Sequence, residues 1–225
     1  MDYIAKLFIG FIVFSFLGWC LEVAYGLVFS KRFINRGFLI GPLCPIYGVG
    51  CVLLYLLLGG LAKNPVLLAL ASMVICSVLE YFASYIMEKI FKTRWWDYSN
   101  KKFNINGRIC LEMAVPFGLL GLGAVYIFVP TLLKLLSNIP ALGIYIIASV
   151  LFILFSVDLL VSFKLILKFT SAIELVPKDM SEEITKFVKD TIEKQGKHVK
   201  RLLESFPDYK INFNFINKKR EKKKK

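Results

Sequence analysis

Four acidic residues lie inside long apolar stretches of this 225-residue sequence: Glu22, Glu80, Glu112 and Asp158. A charged side chain at the centre of a membrane helix costs about 2.5–3.5 kcal/mol to insert, so such residues mark candidate functional sites. Arg108, one helical turn before Glu112, adds a cation. The set predicts a polar cluster, open to the cytoplasm, that binds a cation, a polar substrate or a charged headgroup. The alternative is that charge pairs, such as Arg108 with Glu112 or with Glu22, only hold helices together.

A second candidate is a loop rich in aromatic and polar side chains. Its residues are Trp95, Trp96, Asp97, Tyr98, Asn104, Asn106 and Gly107. Tryptophan and tyrosine favour the headgroup level of a membrane, and the Asn and Gly residues suit a tight turn. The segment is either an interfacial anchor or, given its variety of polar groups, the cytosolic mouth of the site.

A third candidate is a predicted helix break before the second apolar stretch. Its residues are Gly41, Pro42, Pro45, Tyr47 and Gly48. Broken helix at membrane depth survives only where protein or a water-filled cavity satisfies the backbone. The break therefore either lines a site or lets helices pack closely through small residues, and the packing interpretation is favoured.

The elements that must position these residues are membrane helices. Hydrophobic residues make up 57% of the chain, mean hydropathy is +0.63, and the apolar residues form blocks of bilayer-spanning length. The prediction is an all-α membrane helical bundle of about five spans in a transmembrane domain of residues 1–168. The spans cover about 4–29, 44–61, 65–90, 109–129 and 140–163.

The distribution of basic residues predicts the orientation. The loops near residues 31–36 and 89–108 are rich in Lys and Arg, whereas Lys63 and Lys134 are alone in theirs. The positive-inside rule then places the N-terminus outside and both basic loops in the cytoplasm of a bacterial plasma membrane. In this orientation the four acids lie at a similar depth, toward the cytosolic ends of their helices.

Residues 169–225 form a predicted cytoplasmic tail, which holds 15 of the 29 Lys and Arg residues. Apolar residues from Ile184 to Phe206 recur at helical spacing, with lysines on the other face. The tail is expected to contact anionic lipids of the inner leaflet or a cytosolic partner, or to pack on the protein's own loops. Nucleic acid is the less favoured partner.

A weak internal repeat accompanies these spans. Residues 34–37 resemble residues 105–108 at an offset of 71, and Glu22 matches Glu80 at an offset of 58. The hypothesis is a parallel duplication of a two-helix hairpin, with a site between the halves.

Several chemistries lack their motifs in this sequence. No GxxxxGK[ST] loop, GxSxG elbow or HExxH helix is present, and His198 is the only histidine. The five cysteines form no CxxC pair and are interpreted as reduced packing residues. No cofactor and no metal site is predicted.

The motifs resemble a known family when taken together. They are Phe16–Glu22, Asn35–Leu39, Gly41-Pro42, Pro45–Gly48, Leu79–Tyr81, Trp95–Tyr98 and Phe103–Arg108. This set is similar to the bacterial type IV ABC-transporter permeases, over about residues 8–130, with the fifth span and the tail outside the match. The resemblance implies a permease-like subunit of unknown substrate that needs a separate ATPase, in a homo- or hetero-oligomer. An enzyme acting on a lipid-linked substrate and a non-catalytic scaffold are the alternatives.

Overall fold

The computed structural model describes residues 2–31, 37–91, 93–174 and 210–211. The predicted tail helix and Arg36, which precedes the second span, lie outside these residues. Six helices account for most of the described chain: α1 Asp2–Ser30, α2 Pro45–Leu58, α3 Pro65–Phe91, α4 Leu111–Gly123, α5 Val129–Ser137 and α6 Ala141–Glu174. The fold class is therefore the predicted one, a bundle of apolar helices.

Four helical segments of the described chain are long and apolar enough to cross a membrane: Asp2–Val28, Pro65–Phe91, Leu111–Ser137 and Ala141–Leu167. The second apolar helix is shorter, because α2 and the 3₁₀ turn Gly59–Leu61 together cover Pro45–Leu61. Large apolar side chains remain exposed along α6, among them Leu142, Phe152 and Leu160. An outer surface of this kind fits lipid, so the chain is a membrane protein.

The fourth apolar segment continues past its expected end near residue 129. A π-helical turn, Ala124–Phe128, joins α4 to α5, and Pro130 occupies the first turn of α5. Proline lacks the N–H that an uninterrupted α-helix would use, and a π-bulge accommodates the lost hydrogen bond. Pro130 therefore does not end the fourth apolar segment.

The helices pair as two hairpins. α1 packs most extensively against α2, and α3 against α4, while α6 lies mainly against α1. Three small apolar cores connect these units. One joins α2, α3 and the π turn through Leu54, Leu68 and Val125, and a second joins α1, α5 and α6 through Ile9, Leu136 and Ile144.

The third core lies at the other end of α6. Phe91 at the end of α3 is buried and lies 5.4 Å from the rings of both Phe38 and Phe163. Trp95 belongs to the same cluster. This core fixes the segment that follows α3 against α6.

The connection from α3 to α4 contains short strands. β2 Asn104–Ile105 pairs antiparallel with β3 Ile109–Cys110 in a tight hairpin. β1 Thr93–Arg94 pairs antiparallel with β4 Lys210–Ile211, so a piece of the tail lies beside this loop. The loop is thus a folded structure, and it positions most of the polar residues described next.

Candidate functional site

One face of α3 carries a row of buried polar residues. Glu80, Ser84 and Glu88 recur every four residues and so share that face. Their exposed fractions are only 9%, 4% and 4%. Buried polar groups need partners, and each of these three meets side chains from other elements. The other residues of the site are arranged around this row.

The first group at the site is a pair of carboxylates from the two hairpins. Glu22 on α1 accepts a hydrogen bond from Tyr47 Oη on α2 at 2.7 Å. Glu80 on α3 accepts one from Tyr98 Oη in the loop at 3.3 Å. Glu22 and Glu80 also lie close enough to interact electrostatically with each other. The structure therefore brings together two of the four predicted acids, with one tyrosine on each.

Tyr98 is held in its neutral form at this place. Burial, and then the neighbouring Glu80 carboxylate, raise the pKa of Tyr98 well above its ordinary value. The phenol consequently keeps its proton and acts as a hydrogen-bond donor to Glu80. The predicted loop residue Tyr98 is thus a direct part of the carboxylate pair's surroundings.

The second group centres on Arg108. Its Nη2 lies 2.6 Å from Glu88 Oε2, and its Nη1 donates to Ser84 Oγ at 3.0 Å. The guanidinium also lies over two rings of α3, 5.7 Å from the centre of Tyr81 and 5.4 Å from that of Tyr85. Arg94 approaches the same Glu88 oxygen at 3.3 Å. A charge-assisted network of this type is strong because its members are shielded from water.

The loop is shaped around this network. Trp96 Nε1 donates to the carbonyl of Arg108 at 3.0 Å, and Arg94 Nη1 donates to the carbonyl of Asn106 at 3.2 Å. Asn106 Nδ2 donates to Tyr81 Oη at 3.0 Å, which ties the turn to α3. The loop backbone therefore wraps around the arginine network. Trp96 and Asn106, two of the loop residues predicted from the sequence, help to hold it in this shape.

Gly107 occupies a turn that no other residue fits well. Its φ is +66°, and a Cβ there would collide with Asp97 Oδ1 and Ser99 Oγ. Its N–H donates to Asn104 Oδ1 at 3.0 Å, and its carbonyl accepts from the N–H of Tyr98 at 2.7 Å. Left-handed backbone and close approach both select glycine.

Asp158 on α6 binds backbone amides and belongs to neither of these two groups. Its carboxylate accepts hydrogen bonds from the N–H groups of Ile40 at 3.0 Å and Gly41 at 3.1 Å, and from Ser162 Oγ at 3.1 Å. The backbone at Gly41-Pro42 is not helical, so its amides need an outside acceptor. Asp158 supplies that acceptor and fastens the segment before α2 to α6.

The rest of the predicted break belongs to α2 itself. Pro45 begins the helix, where its missing N–H costs nothing. Tyr47 reaches Glu22, and buried Gly48 lies directly against Ser15 Oγ and the Phe11 carbonyl of α1. Gly48 thus packs helices, and Tyr47 contributes to the site.

Glu112 lies at the outer edge. Its side chain is 59% exposed, and its Oε2 lies 3.0 Å from Lys101 Nζ. The hydrogen bond from Lys101 to this carboxylate, and the carboxylate's charge, raise the pKa of the exposed Lys101. Of the predicted acids, Glu112 is therefore the one that points toward solvent or headgroups.

Comparison with known proteins bears on this arrangement. A family model described as "Putative ABC-transporter type IV" matches residues 9–163. The chain belongs to this family. No curated protein and no solved structure matches it.

The type IV ABC-transporter match extends further than the sequence motifs indicated. The expected resemblance ended near residue 130, with the fifth span outside it, but the family model reaches residue 163. The correction matters because α6 provides Asp158 and Phe163, which hold the segment before α2 and the end of α3. The fifth apolar helix is part of the family's common unit.

Sequence reasoning missed one residue of the arginine network in this family member, Glu88, whereas Arg94 begins the candidate loop segment. Glu88 stands near other charges at the end of an apolar stretch, where a charge at the membrane surface is unremarkable. The signal that could have found Glu88 is its four-residue spacing from Ser84 and Glu80. Arg94 takes its partners from α3 and from the loop: Glu88, Asp97 and the carbonyl of Asn106.

Proposed function

We propose that the chain is a multi-pass membrane subunit of an ABC-type transporter in the bacterial plasma membrane, working with a separate ATPase. Its membership of the type IV ABC-transporter family over residues 9–163 carries this proposal. The apolar helices supply a membrane component. These 225 residues contain no GxxxxGK[ST] phosphate loop, and the proposal assigns ATP hydrolysis of that kind to a separate subunit.

The proposed substrate-handling region is the end of the bundle at which the buried polar residues lie, here called the polar end. Glu22, Glu80 and Arg108 lie at the meeting of the two hairpins with the 93–110 loop. Charged groups at membrane depth are retained where a protein handles a polar cargo or transmits a movement. The substrate's polar part is expected to meet this end first, with the loop of Trp95, Trp96 and Asp97 at its mouth.

The loop is also the proposed contact with the ATPase. Lys101, Lys102 and Phe103 project from it, and Phe103 is 79% exposed. The loop is braced to α3 by the arginine network, so a push on its tip is transmitted to the helix that carries Glu80. The basic tail, one piece of which pairs with β1, is proposed to support the same contact or to bind anionic lipid.

The test is affinity purification of the tagged full-length chain from its native membrane in mild detergent, followed by mass spectrometry. We expect an ATP-binding protein in stoichiometric amount. The double variant Lys101→Glu/Lys102→Glu should lose that protein, whereas Lys134→Glu should keep it. Lys134 is also an exposed lysine, and it lies in the last turn of α5, at the end of the fourth apolar segment. Recovery of the wild-type chain alone, as a clean oligomer, would contradict the proposal and favour an enzyme or a scaffold.

A further inference from the structure

A groove separates the tip of the loop from the first turns of α4. Its volume is about 470 Å³, within the range of about 300–1,000 Å³ that ligand sites have. Residues 100–103 form the loop side of the groove, and three residues of α4 form the other side: Leu111, Glu112 and Val115. None of these residues belongs to the arginine network, so the groove is a separate feature of the polar end.

The groove lies where a membrane-spanning segment begins. The fourth apolar segment, Leu111–Ser137, starts at the wall of the groove and has 27 residues. A helix of that length is roughly 40 Å long, whereas the hydrocarbon core of a bilayer is about 30 Å thick. The ends of the segment therefore reach the headgroup layers, and the groove is expected at the level of the lipid headgroups.

The α4 side of the groove continues an apolar surface of that helix. Leu111, Val115 and Leu119 recur every four residues and so share one face. Their exposed fractions are 50%, 53% and 69%. Leu111 and Val115 line the groove, and Leu119 lies beyond it, one turn further along α4. A hydrocarbon chain lying on this α4 stripe would lead directly into the groove.

The polar side chains of the groove leave one positive charge uncompensated. Lys101 Nζ lies 3.0 Å from Glu112 Oε2, so these two charges balance each other. Lys102 also lines the groove, is exposed, and has no ion-pair partner among the described residues. Two lysines and one glutamate therefore give the groove a net charge of one positive unit.

Phe103 adds an apolar ring at the same place. It lines the groove and is 79% exposed, although its φ of +52° is unfavourable for a bulky residue. Backbone strain of this kind persists where function maintains it. A ring exposed beside lysines is typical of elements that insert their apolar side chains at the boundary between headgroups and acyl chains.

We propose that the groove binds the headgroup of an anionic glycerophospholipid. The lipid phosphate, with its single negative charge, pairs with Lys102, and one acyl chain lies along the α4 stripe. Phe103 inserts beside that chain. A soluble anion would use the lysine alone, whereas a lipid also uses the apolar side of the groove, and this favours the lipid. The inference goes beyond the proposed function, because lipid binding at α4 requires neither an ATPase nor a substrate.

The experiment is site-specific photocrosslinking of the purified full-length chain in vesicles of phosphatidylglycerol and phosphatidylcholine in equal amounts. Phe103→p-benzoylphenylalanine places a photoreactive ring in the groove, and mass spectrometry identifies the lipid that becomes attached to it. We expect phosphatidylglycerol adducts to exceed phosphatidylcholine adducts by about fivefold, which is the effect of one lysine near an anionic lipid surface. Lys102→Ala, introduced into the same chain, should remove this preference.

Two matched variants separate the groove from general attraction to lipid. Lys164→Ala removes another exposed lysine at the same end of the bundle, next to Phe163 on α6, and should keep the preference. Leu111→Trp should fill the groove and lower the yield of lipid adducts severalfold. Leu119→Trp places the same ring on the α4 stripe outside the groove and should leave the yield unchanged.

Equal adducts of the two lipids in the chain with both lysines would overturn the proposal, because the groove would then only face bulk lipid. A preference lost equally in Lys102→Ala and Lys164→Ala would also overturn it, since attraction to the basic surface as a whole would explain the result. An adduct to a second copy of the chain in place of lipid would make the groove a contact between proteins.

Folding of each variant is checked by size-exclusion chromatography. If the Phe103 variant does not fold, the photoreactive residue is placed at Val115, which lines the same groove, and the same comparisons decide. The vesicles contain no ATPase, so the proposed function and this inference fail separately.

Discussion

Arg108 is one of the side chains that connect the loop to the bundle. It is 8% exposed, its carboxylate partner Glu88 is 4% exposed, and two tyrosine rings cover the guanidinium. Removal of Arg108 would take away the nearer cation of a buried carboxylate, Glu88, which would keep Arg94 at 3.3 Å. The arginine therefore contributes to holding the loop on α3.

We predict that Arg108→Ala lowers the free energy of unfolding by about 1–3 kcal/mol, because Glu88 loses its partner at 2.6 Å but keeps Arg94 at 3.3 Å. Thermal and denaturant unfolding of the purified protein in mild detergent would measure it. The control is Lys101→Ala, which breaks an exposed ion pair with Glu112 and should change stability little. Equal losses in the two variants would contradict a special role for the buried network.

Two of the four predicted acids, Glu22 and Glu80, lie near each other at the site, and the other two act elsewhere. This difference shows the limits of prediction from residue type. All four were recognisable as costly charges in apolar segments. Which partner each takes depends on helix rotation and on loop shape: Asp158 meets the amides of residues 40 and 41, and Glu112 turns outward to Lys101. Neither fact follows from a common depth. The Asp158 contact joins residues more than 110 positions apart, and the sequence contains no sign of it.

Among the helices, the α1–α2 and α3–α4 pairs use the same device for close approach. Ser15 of α1 lies against Gly48 of α2, and Ser72 of α3 lies against Gly121 of α4. Each serine hydroxyl donates to the carbonyl four residues earlier, Phe11 at 2.7 Å and Leu68 at 2.8 Å. Small residues of this kind let membrane helices pack backbone to backbone.

This likeness supports the hypothesis of a duplicated hairpin but changes its alignment. The sequence offset of 71 pairs Gly50 with Gly121, whereas the serine contact pairs Gly48 with Gly121. The short motifs indicate only the approximate offset between the two hairpins. Which glycine of α2 corresponds to Gly121 depends on which one faces the serine of α1, and helix rotation determines that.

We predict opposite results for alanine at two neighbouring glycines of α2. A Cβ on Gly48 would collide with the Phe11 carbonyl and Ser15 Oγ, so Gly48→Ala should destabilise the protein by about 1–3 kcal/mol, the usual cost of overpacking. Gly50 is also buried, but a Cβ there would lie 3.7 Å from Leu79, an ordinary contact. Gly50→Ala should be neutral or slightly stabilising, since alanine favours the helix.

Thermal unfolding of the two purified variants in the same detergent would measure the difference. Because the substitutions add the same methyl group to the same helix, general effects on α2 cancel between them. A stable Gly48→Ala variant would show that α1 and α2 are not in close contact at this point.

Across the entire chain, the helical class and the apolar segments were predictable because bilayer-length blocks of apolar residues leave few alternatives. Two features were not. The loop after α3 folds into paired strands around an arginine, and α4 continues into α5 through a π turn at a proline. Both depend on side-chain and backbone contacts between separate segments, which periodicity does not record.

The proposed function of the polar end depends on the orientation of the chain in the membrane. Lys63 lies in the turn between α2 and α3, and Lys101 in the loop after α3, at opposite ends of a 27-residue helix. That helix is roughly 40 Å long, enough to cross a bilayer. The excess of basic residues in the second loop predicts that Lys101 is cytosolic and Lys63 external.

We predict that a membrane-impermeant maleimide labels Lys63→Cys in intact spheroplasts and Lys101→Cys only after permeabilisation. Each variant is made in a chain whose five cysteines are replaced, so that no native thiol reacts. Labelling of both positions from one side would mean that α3 does not span the membrane. The reverse pattern would place Glu80, Arg108 and their loop outside, beyond the reach of a cytosolic ATPase. In that case the ATPase contact would have to be sought at the Lys63 turn.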